Sequence, residues 1–124
     1  MLQAQSCGNQ CQQCEQACQN SYSSCTFNVT QTYNACTAQA QNTYQLCCNV
    51  AYSDFQTCLD NCGHNGSMCG EACTDAYSGD ITSCQMTEDG QMSMCQNAYT
   101  NGTQGCTNGL TSCKAGCVSE YGSN

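Results

Sequence analysis

The sequence predicts an all-α protein in which two long antiparallel helices form a helical hairpin rod, joined by a ladder of about seven interhelical disulfides. The first observation behind this prediction is a spacing. Cysteines recur every eleven residues in two runs, which are Cys14, Cys25, Cys36, Cys47, Cys58 and Cys73, Cys84, Cys95, Cys106, Cys117. Eleven residues make three turns of an α-helix at about 3.67 residues per turn, so each run lies along one face of a helix as a hendecad repeat.

The second observation is that the two runs mirror each other around Asn65-Gly66. The position numbers of opposed cysteines add to 131 in seven pairs, which use fourteen of the seventeen cysteines. A constant sum is expected when two antiparallel segments face each other residue by residue, so each pair predicts one disulfide. The predicted disulfides are Cys14–Cys117, Cys18–Cys113, Cys25–Cys106, Cys36–Cys95, Cys47–Cys84, Cys58–Cys73 and Cys62–Cys69.

The first helix is predicted over about residues 7–62, after an N-terminal tail of residues 1–6 in which Ser6 is a suitable N-cap. Two further rows of residues repeat at the same spacing and flank the cysteine row. One row is Cys7, Cys18, Val29, Ala40, Ala51 and Cys62, and the other is Cys11, Tyr22, Tyr33, Tyr44 and Phe55. The three rows therefore share one face of the helix.

The turn is predicted at residues 63–67 and the second helix at about residues 68–121. Gly63 suits the position after a helix C-terminus, and Asn65 or Ser67 suits the next N-cap. In the antiparallel register, Phe55 is expected to meet Tyr77, Tyr44 to meet Glu88, and Tyr33 to meet Tyr99. Two helices of about 55 residues would form a rod about 80 Å long.

The composition explains why such a chain needs cross-links. Leucine, isoleucine and valine number only eight in 124 residues, too few for apolar burial alone to offset the chain entropy. Seventeen cysteines are typical of proteins from an oxidising compartment, so we expect a secreted or extracellular protein. No run of about 18 apolar residues is present, so membrane insertion is not expected.

The charge and the reactive side chains exclude several functions. A net charge of −8 with Lys114 as the one basic residue argues against binding of nucleic acid or anionic membranes. The one histidine, His64, lies in the turn, and no nucleophile–base set or phosphate loop is present, so neither an enzyme nor a cofactor is expected. Tandem C-x-x-C pairs for zinc are absent. The acidic residues near the turn are better explained as a solvated face than as a calcium site; they are Asp54, Asp60, Glu71, Asp75 and Asp80.

Three cysteines have no partner in the mirror pattern: Cys7, Cys11 and Cys48. Cys7 and Cys11 lie on the ladder face beyond the end of the second helix, whereas Cys48 points out of the hairpin. Unpaired thiols in a secreted protein indicate intermolecular disulfides, and Cys48 with Cys7 or Cys11 of another copy is the favoured pairing. The alternative is a Cys7–Cys11 bridge one helical turn apart, with Cys48 left free.

Three N-glycosylation sequons begin at Asn28, Asn65 and Asn101. Their number is what chance would give in a chain this rich in asparagine, serine and threonine. We therefore treat covalent glycans as an option that the compartment would decide, with Asn65 in the turn as the most accessible acceptor.

The plan of the hairpin, with its paired cysteine runs, is similar to the twin C-x9-C helical hairpins of the mitochondrial intermembrane space. Those hairpins are short, with two disulfides and nine-residue gaps, whereas here the gaps are ten residues and the rungs seven. The resemblance implies a helical scaffold that depends on oxidation for its fold.

The function favoured by the sequence is structural. The chain is expected to self-assemble as a homopolymer through heterologous contacts, forming an extracellular filament or matrix with inter-subunit disulfides. One alternative is a monomeric secreted cysteine-rich binding protein, such as an effector, toxin or adhesin. Another is a scaffold of the intermembrane-space type.

Overall fold

A computed structural model describes residues 7–63 and 67–122 of the chain. Helix α1 runs Asn9–Cys62 and helix α2 runs Ser67–Tyr121, so the helices contain 54 and 55 residues. They pair antiparallel as a helical hairpin, and residues 7–63 and 67–122 contain no β-strand. The predicted fold class is confirmed. The predicted tail and the caps assigned to Ser6 and Asn65 lie outside the described residues.

Helix α1 begins two residues later than the sequence predicted. Its first turn is closed by the backbone N–H of Gln12, which donates to the Gly8 carbonyl oxygen at 2.8 Å. Glycine has a low helix propensity, which favours the start of the helix after Gly8 rather than before it. Cys7 therefore precedes the helix.

Seven disulfides join α1 to α2, and they are the seven pairs whose numbers add to 131. The Cα–Cα distance across each of them is 5.7 or 5.8 Å. This distance lies in the ordinary range for a disulfide, so the bridges form without displacing either helix. We call this set the ladder and each disulfide a rung.

The hairpin divides into two compact units. The central unit is Asn34–Cys95, and the terminal unit is Met1–Tyr33 with Gln96–Asn124, of which residues 7–33 and 96–122 are described. In the central unit Ala40 and Ala51 are buried, and Phe55 packs on Tyr77 with ring centroids 4.9 Å apart. In the terminal unit Tyr33 packs on Tyr99, also at 4.9 Å. Both aromatic contacts confirm the predicted register.

The core is made of sulfur and methyl groups rather than of branched aliphatic side chains. The buried hydrophobic residues are all cysteine or alanine: Cys11, Cys18, Ala40, Ala51, Cys62, Cys73, Cys84, Cys95, Cys106 and Cys117. Helix α2 buries its eleven-residue cysteine row, while the corresponding cysteines of α1 are only half-buried. Helix α1 instead buries Cys18, Ala40, Ala51 and Cys62, which belong to the row that begins at Cys7. Small side chains there permit the close helix spacing that disulfides require.

The turn begins as the sequence predicted. Gly63 has a φ of +55°, and its N–H donates to the carbonyl oxygen of Asp60 at 3.2 Å. This left-handed conformation ends helices readily when glycine occupies it, because glycine has no Cβ to clash. Neither helix, over the residues described, holds a stretch that is apolar enough to cross a membrane.

Candidate functional site

The cysteines are the reactive groups of this molecule, and the structure divides them into three kinds. Fourteen form the ladder, two form a local bridge between Cys7 and Cys11, and Cys48 has no disulfide partner. All seventeen cysteines lie within the described ranges. The chain thus carries one thiol that is available for further chemistry.

The Cys7–Cys11 bridge spans a single helical turn, with a sequence separation of 4 and a Cα–Cα distance of 5.0 Å. The mirror pattern gives neither residue a partner, and of the two alternatives left open the single chain adopts the local bridge, because residues one turn apart are close enough to bond to each other. Cys11 is fully buried and packs against Cys18 and Cys117, whereas Cys7 is half-buried at the edge of the same cluster. The bridge lies beside the ladder but is not one of its rungs.

Cys48 follows the rung cysteine Cys47 on helix α1 and is partly exposed. Its polar surroundings include the hydroxyl of Tyr44, one turn earlier. A hydrogen bond with Cys48 is the largest effect that raises the pKa of Tyr44 above 10.0, and a hydrogen bond with Gln85 opposes it. The charge of Glu88 also raises this pKa, with the smallest effect of the causes. Cys48 therefore lies on the flank where Tyr44 faces α2.

An open groove lies between the helices in the central unit, with a volume of about 510 Å³. The Cys47–Cys84 rung and Ala51 contribute to its lining, and Leu46 and Val50 extend along one side. These two side chains are 65% and 60% exposed. Asp54 and Asp80 give the same groove an acidic character.

A second, smaller groove repeats the first one at eleven residues' distance. It is about 190 Å³ in volume and includes the Cys36–Cys95 rung, Ala40 and the exposed Met94. Each lining residue lies eleven positions from one that lines the first groove. The two grooves are therefore lined at equivalent positions of the eleven-residue spacing.

The structure also brings cysteine sulfurs together in ways that resemble metal sites. The sets are Cys14, Cys18, Cys117; Cys58, Cys62, Cys73; and Cys7, Cys11, Glu15, with ligand atoms within 4.8 Å of one another. Every cysteine in them is disulfide-bonded, and metals require the thiolate form. The first two sets are adjacent rungs in contact, with Cys18 and Cys117 sulfurs 3.5 Å apart and those of Cys62 and Cys73 3.6 Å apart.

Two of the three sequons can be located. Asn28 and Asn101 are exposed on α1 and α2 of the terminal unit, and Asn65 lies outside the described residues. The two helices approach closely at the middle residues of these sequons, Val29 and Gly102. A Cβ atom placed on Gly102 would lie 3.0 Å from both γ-methyl groups of Val29. This contact was missed at the level of sequence, although the position numbers of Val29 and Gly102 also add to 131.

No protein-family model matches the chain, and no curated protein or solved structure is detectably similar to it. The features of the chain that bear on function are the ladder, the local bridge, the one thiol and the exposed apolar side chains.

Proposed function

We propose that this chain is a secreted structural subunit that self-assembles into an extracellular filament or matrix. One observation carries the proposal: where the structure describes the chain, no leucine, isoleucine or valine is buried. Leu46, Val50 and Val118 are mostly exposed, and the other described aliphatic side chains are half-buried. Their burial between subunits would release apolar area from water.

The ladder explains how the chain can dispense with an aliphatic core. Seven interhelical disulfides restrict the unfolded chain, and a single disulfide typically contributes about 2–4 kcal/mol to stability. Exposed apolar side chains are then available for contacts with other molecules. They include Phe27, Leu46, Val50, Tyr52, Met68, Met86, Met94 and Val118.

Secretion is supported by the eight disulfides, which persist in oxidising compartments and are rare where thiols are kept reduced. Low charged content supports association, since 8% of the residues carry a charge and the surface is dominated by amide and hydroxyl groups.

The second candidate is a monomeric secreted binding protein, such as an effector, toxin or adhesin. The groove lined by Leu46 and Val50 favours it, because an open apolar groove is also what a partner's side chains would enter. The two functions differ in one respect that can be measured. A subunit associates with itself as concentration rises, and a monomeric binder does not.

The test is sedimentation of the oxidised protein over a wide concentration range, with electron microscopy of the largest species. We expect concentration-dependent assembly that is weakened by Leu46→Ser with Val50→Ser. The matched control is Gln45→Ser with Asn49→Ser, which alters exposed polar residues on the same two turns of α1. A monomer at every concentration would favour the binding protein.

A further inference from the structure

The count of thiols sets a limit on covalent assembly. Each chain has one free thiol, Cys48, because Cys7 and Cys11 are bonded to each other. If two Cys48 thiols were oxidised to a disulfide, both would be consumed and covalent growth would stop at two chains. A covalent chain of subunits needs two attachment points on every copy, so a second one has to come from an existing disulfide.

The Cys7–Cys11 bridge differs from the other seven disulfides in how much its opening would destabilise the hairpin. The ladder rungs join α1 to α2, and opening any of them removes a link between the helices. Cys7 and Cys11 are separated by only 4 residues of one chain, so opening their bridge leaves all seven rungs in place. A short closed loop also restricts the unfolded chain the least.

The two sulfurs of the bridge are not equally accessible. Cys11 is 0% exposed beneath the first rungs, while Cys7 is half-buried and precedes the first residue of α1. A thiolate attacks a disulfide sulfur that it can reach, and the other sulfur leaves. Accessibility therefore selects Cys7 as the sulfur attacked and Cys11 as the leaving group.

We propose that the Cys7–Cys11 bridge is an exchangeable disulfide that accepts the Cys48 thiolate of a second copy of this chain. In the step, Cys48 loses its proton to solvent, its sulfur bonds to Cys7, and the Cys7–Cys11 bond breaks. The Cys11 thiolate that leaves takes up a proton. One disulfide is consumed and one is formed, so the step needs neither oxidant nor reductant.

The attacking thiol has to come from another copy, because about ten turns of helix α1 separate Cys11 from Cys48. The link is heterologous, since it joins the Cys48 flank of one chain to the Cys7 end of the next, and such contacts propagate when they do not close. Each addition consumes one thiol and releases another. This inference rests on the proposed self-assembly, for which it supplies the covalent step.

The experiment separates the two halves of the reaction. The donor is Cys7→Ser with Cys11→Ser, which keeps Cys48, and the acceptor is Cys48→Ser, which keeps the bridge. Both retain the seven rungs, and circular dichroism would verify their helix content. They are mixed without oxidant, under argon and with a metal chelator, at mildly alkaline pH.

We expect a covalent one-to-one heterodimer on non-reducing gels and one titratable thiol per heterodimer. Peptide mapping should find Cys48 of the donor bonded to Cys7 of the acceptor. Neither variant alone should give a covalent product, and a triple variant with serine at positions 7, 11 and 48 should be inert as a donor. The unmodified protein should form a series of covalent multimers with no change in total thiol.

The inference is overturned if no heterodimer forms, or if mapping finds a Cys48–Cys48 bond or a bond from Cys48 to a ladder cysteine. It also fails separately from the proposed function. Sedimentation of the Cys48→Ser variant reports non-covalent assembly alone. If that variant assembles while exchange is absent, the structural role stands without the covalent step. If exchange occurs between chains that do not otherwise associate, the bridge is a reactive site of a monomeric protein.

Discussion

Gly102 of α2 lies close to the Val29 side chain of α1. A Cβ at Gly102 would lie 3.0 Å from both methyl groups of Val29, closer than ordinary van der Waals contact. At Gly105, three residues further along α2, a Cβ would meet nothing within 4 Å. The two glycines share a helix and a unit but differ in the space available to a methyl group.

This difference predicts opposite results for two alanine substitutions. Gly105→Ala should stabilise the protein by about 1 kcal/mol, because alanine has the higher helix propensity. Gly102→Ala should not stabilise the protein in this way, because the new methyl group would be overpacked against Val29. Addition of Val29→Ala to the same chain should remove the overpacking, so that the stabilisation by Gly102→Ala returns. Denaturant unfolding with the disulfides intact measures all three. Equal stabilisation by both alanines would show that Val29 gives way without cost.

Tyr44 reports on the free thiol. Its pKa lies above 10.0, and a hydrogen bond with Cys48 is the largest cause. Cys48→Ala removes both the hydrogen bond and the thiolate charge, so we expect the pKa of Tyr44 to fall. A pH titration of ring-labelled tyrosine by NMR measures the change, with Asn49→Ala as the control at the next position.

The raised pKa also has a consequence for stability. A group whose pKa is higher in the folded state stabilises the fold while it is protonated, so this contribution is complete below about pH 10 and is lost as the pH rises through the folded pKa. Cys48→Ala should therefore reduce the loss of stability in that alkaline window. A tyrosine titration unchanged by Cys48→Ala would contradict the contact.

At the scale of the helices, the rungs are spaced unevenly. Rungs in the middle of the ladder stand eleven residues apart on each helix, but Cys18–Cys113 stands four residues from Cys14–Cys117. Removal of a rung frees the chain segments between its two neighbours. Those segments are twice as long around Cys36–Cys95 as around Cys18–Cys113.

Removing Cys36–Cys95 should therefore destabilise the hairpin more than removing Cys18–Cys113, because the entropy gained by the unfolded chain grows with the loop released. Denaturant unfolding of two double variants, Cys36→Ser with Cys95→Ser and Cys18→Ser with Cys113→Ser, measures the difference. The middle rung is expected to cost about 2–4 kcal/mol and the end rung less. The order would be reversed if the contact between the Cys18 and Cys117 sulfurs dominated over chain entropy.

The register of the helices could be predicted because the mirror pattern allows only one. Once Cys47 faces Cys84, the contacts of Phe55 with Tyr77 and of Tyr33 with Tyr99 follow from counting residues. The rotation of each helix about its own axis could not be predicted in this way. A cysteine can form a disulfide from the centre or from the edge of the face that contacts the other helix. The spacing therefore did not indicate that α1 would bury Ala40 and Ala51 more deeply than its ladder cysteines.

The local bridge was left open for a related reason. An i, i+4 spacing places Cys7 and Cys11 on the ladder face and also within reach of each other. The mirror pattern gives neither a partner, so it cannot choose between a local bond and a bond to another chain. The described geometry, with Cα atoms 5.0 Å apart, identifies the local bond in the single chain.

For the whole molecule, charge opposes association. The net charge is −8 at pH 7 with one basic residue, so identical chains repel each other at long range. Salt screens this repulsion over a Debye length of about 10 Å at 0.1 M. We expect assembly to strengthen as ionic strength rises and as the pH falls towards the pI of about 4.1.

Light scattering across a matrix of salt and pH measures this dependence. Replacement of the groove carboxylates by Asp54→Asn and Asp80→Asn should strengthen assembly at pH 7, as added salt does. The control is Asp75→Asn with Asp89→Asn, which removes the same charge outside the groove. Assembly that weakens with added salt would indicate contacts between opposite charges instead of apolar ones.

Self-assembly is a hypothesis that the sequence suggests, but residue spacing alone cannot identify the surfaces involved. Spacing identifies which ladder cysteines pair, because both partners of every rung lie in the same chain. Association between copies depends on which apolar side chains remain exposed, and exposure of Leu46 and Val50 became known only once each helix had been oriented.

The nested order of the ladder has a mechanical consequence. Tension applied between the chain ends is carried across the Cys14–Cys117 bond, and no force reaches the residues enclosed by it. If reductant opened the rungs one at a time from the ends, each opening would release the chain between that rung and the next. The sequence separations of 103, 95, 81, 59, 37, 15 and 7 give releases of 8, 14, 22, 22, 22 and 8 residues for the first six rungs, and the seventh releases the last 7 residues. Under load the hairpin would lengthen in steps, the longest of about 75 Å at roughly 3.4 Å per residue, so that the extension would record how many sulfur bonds had been broken.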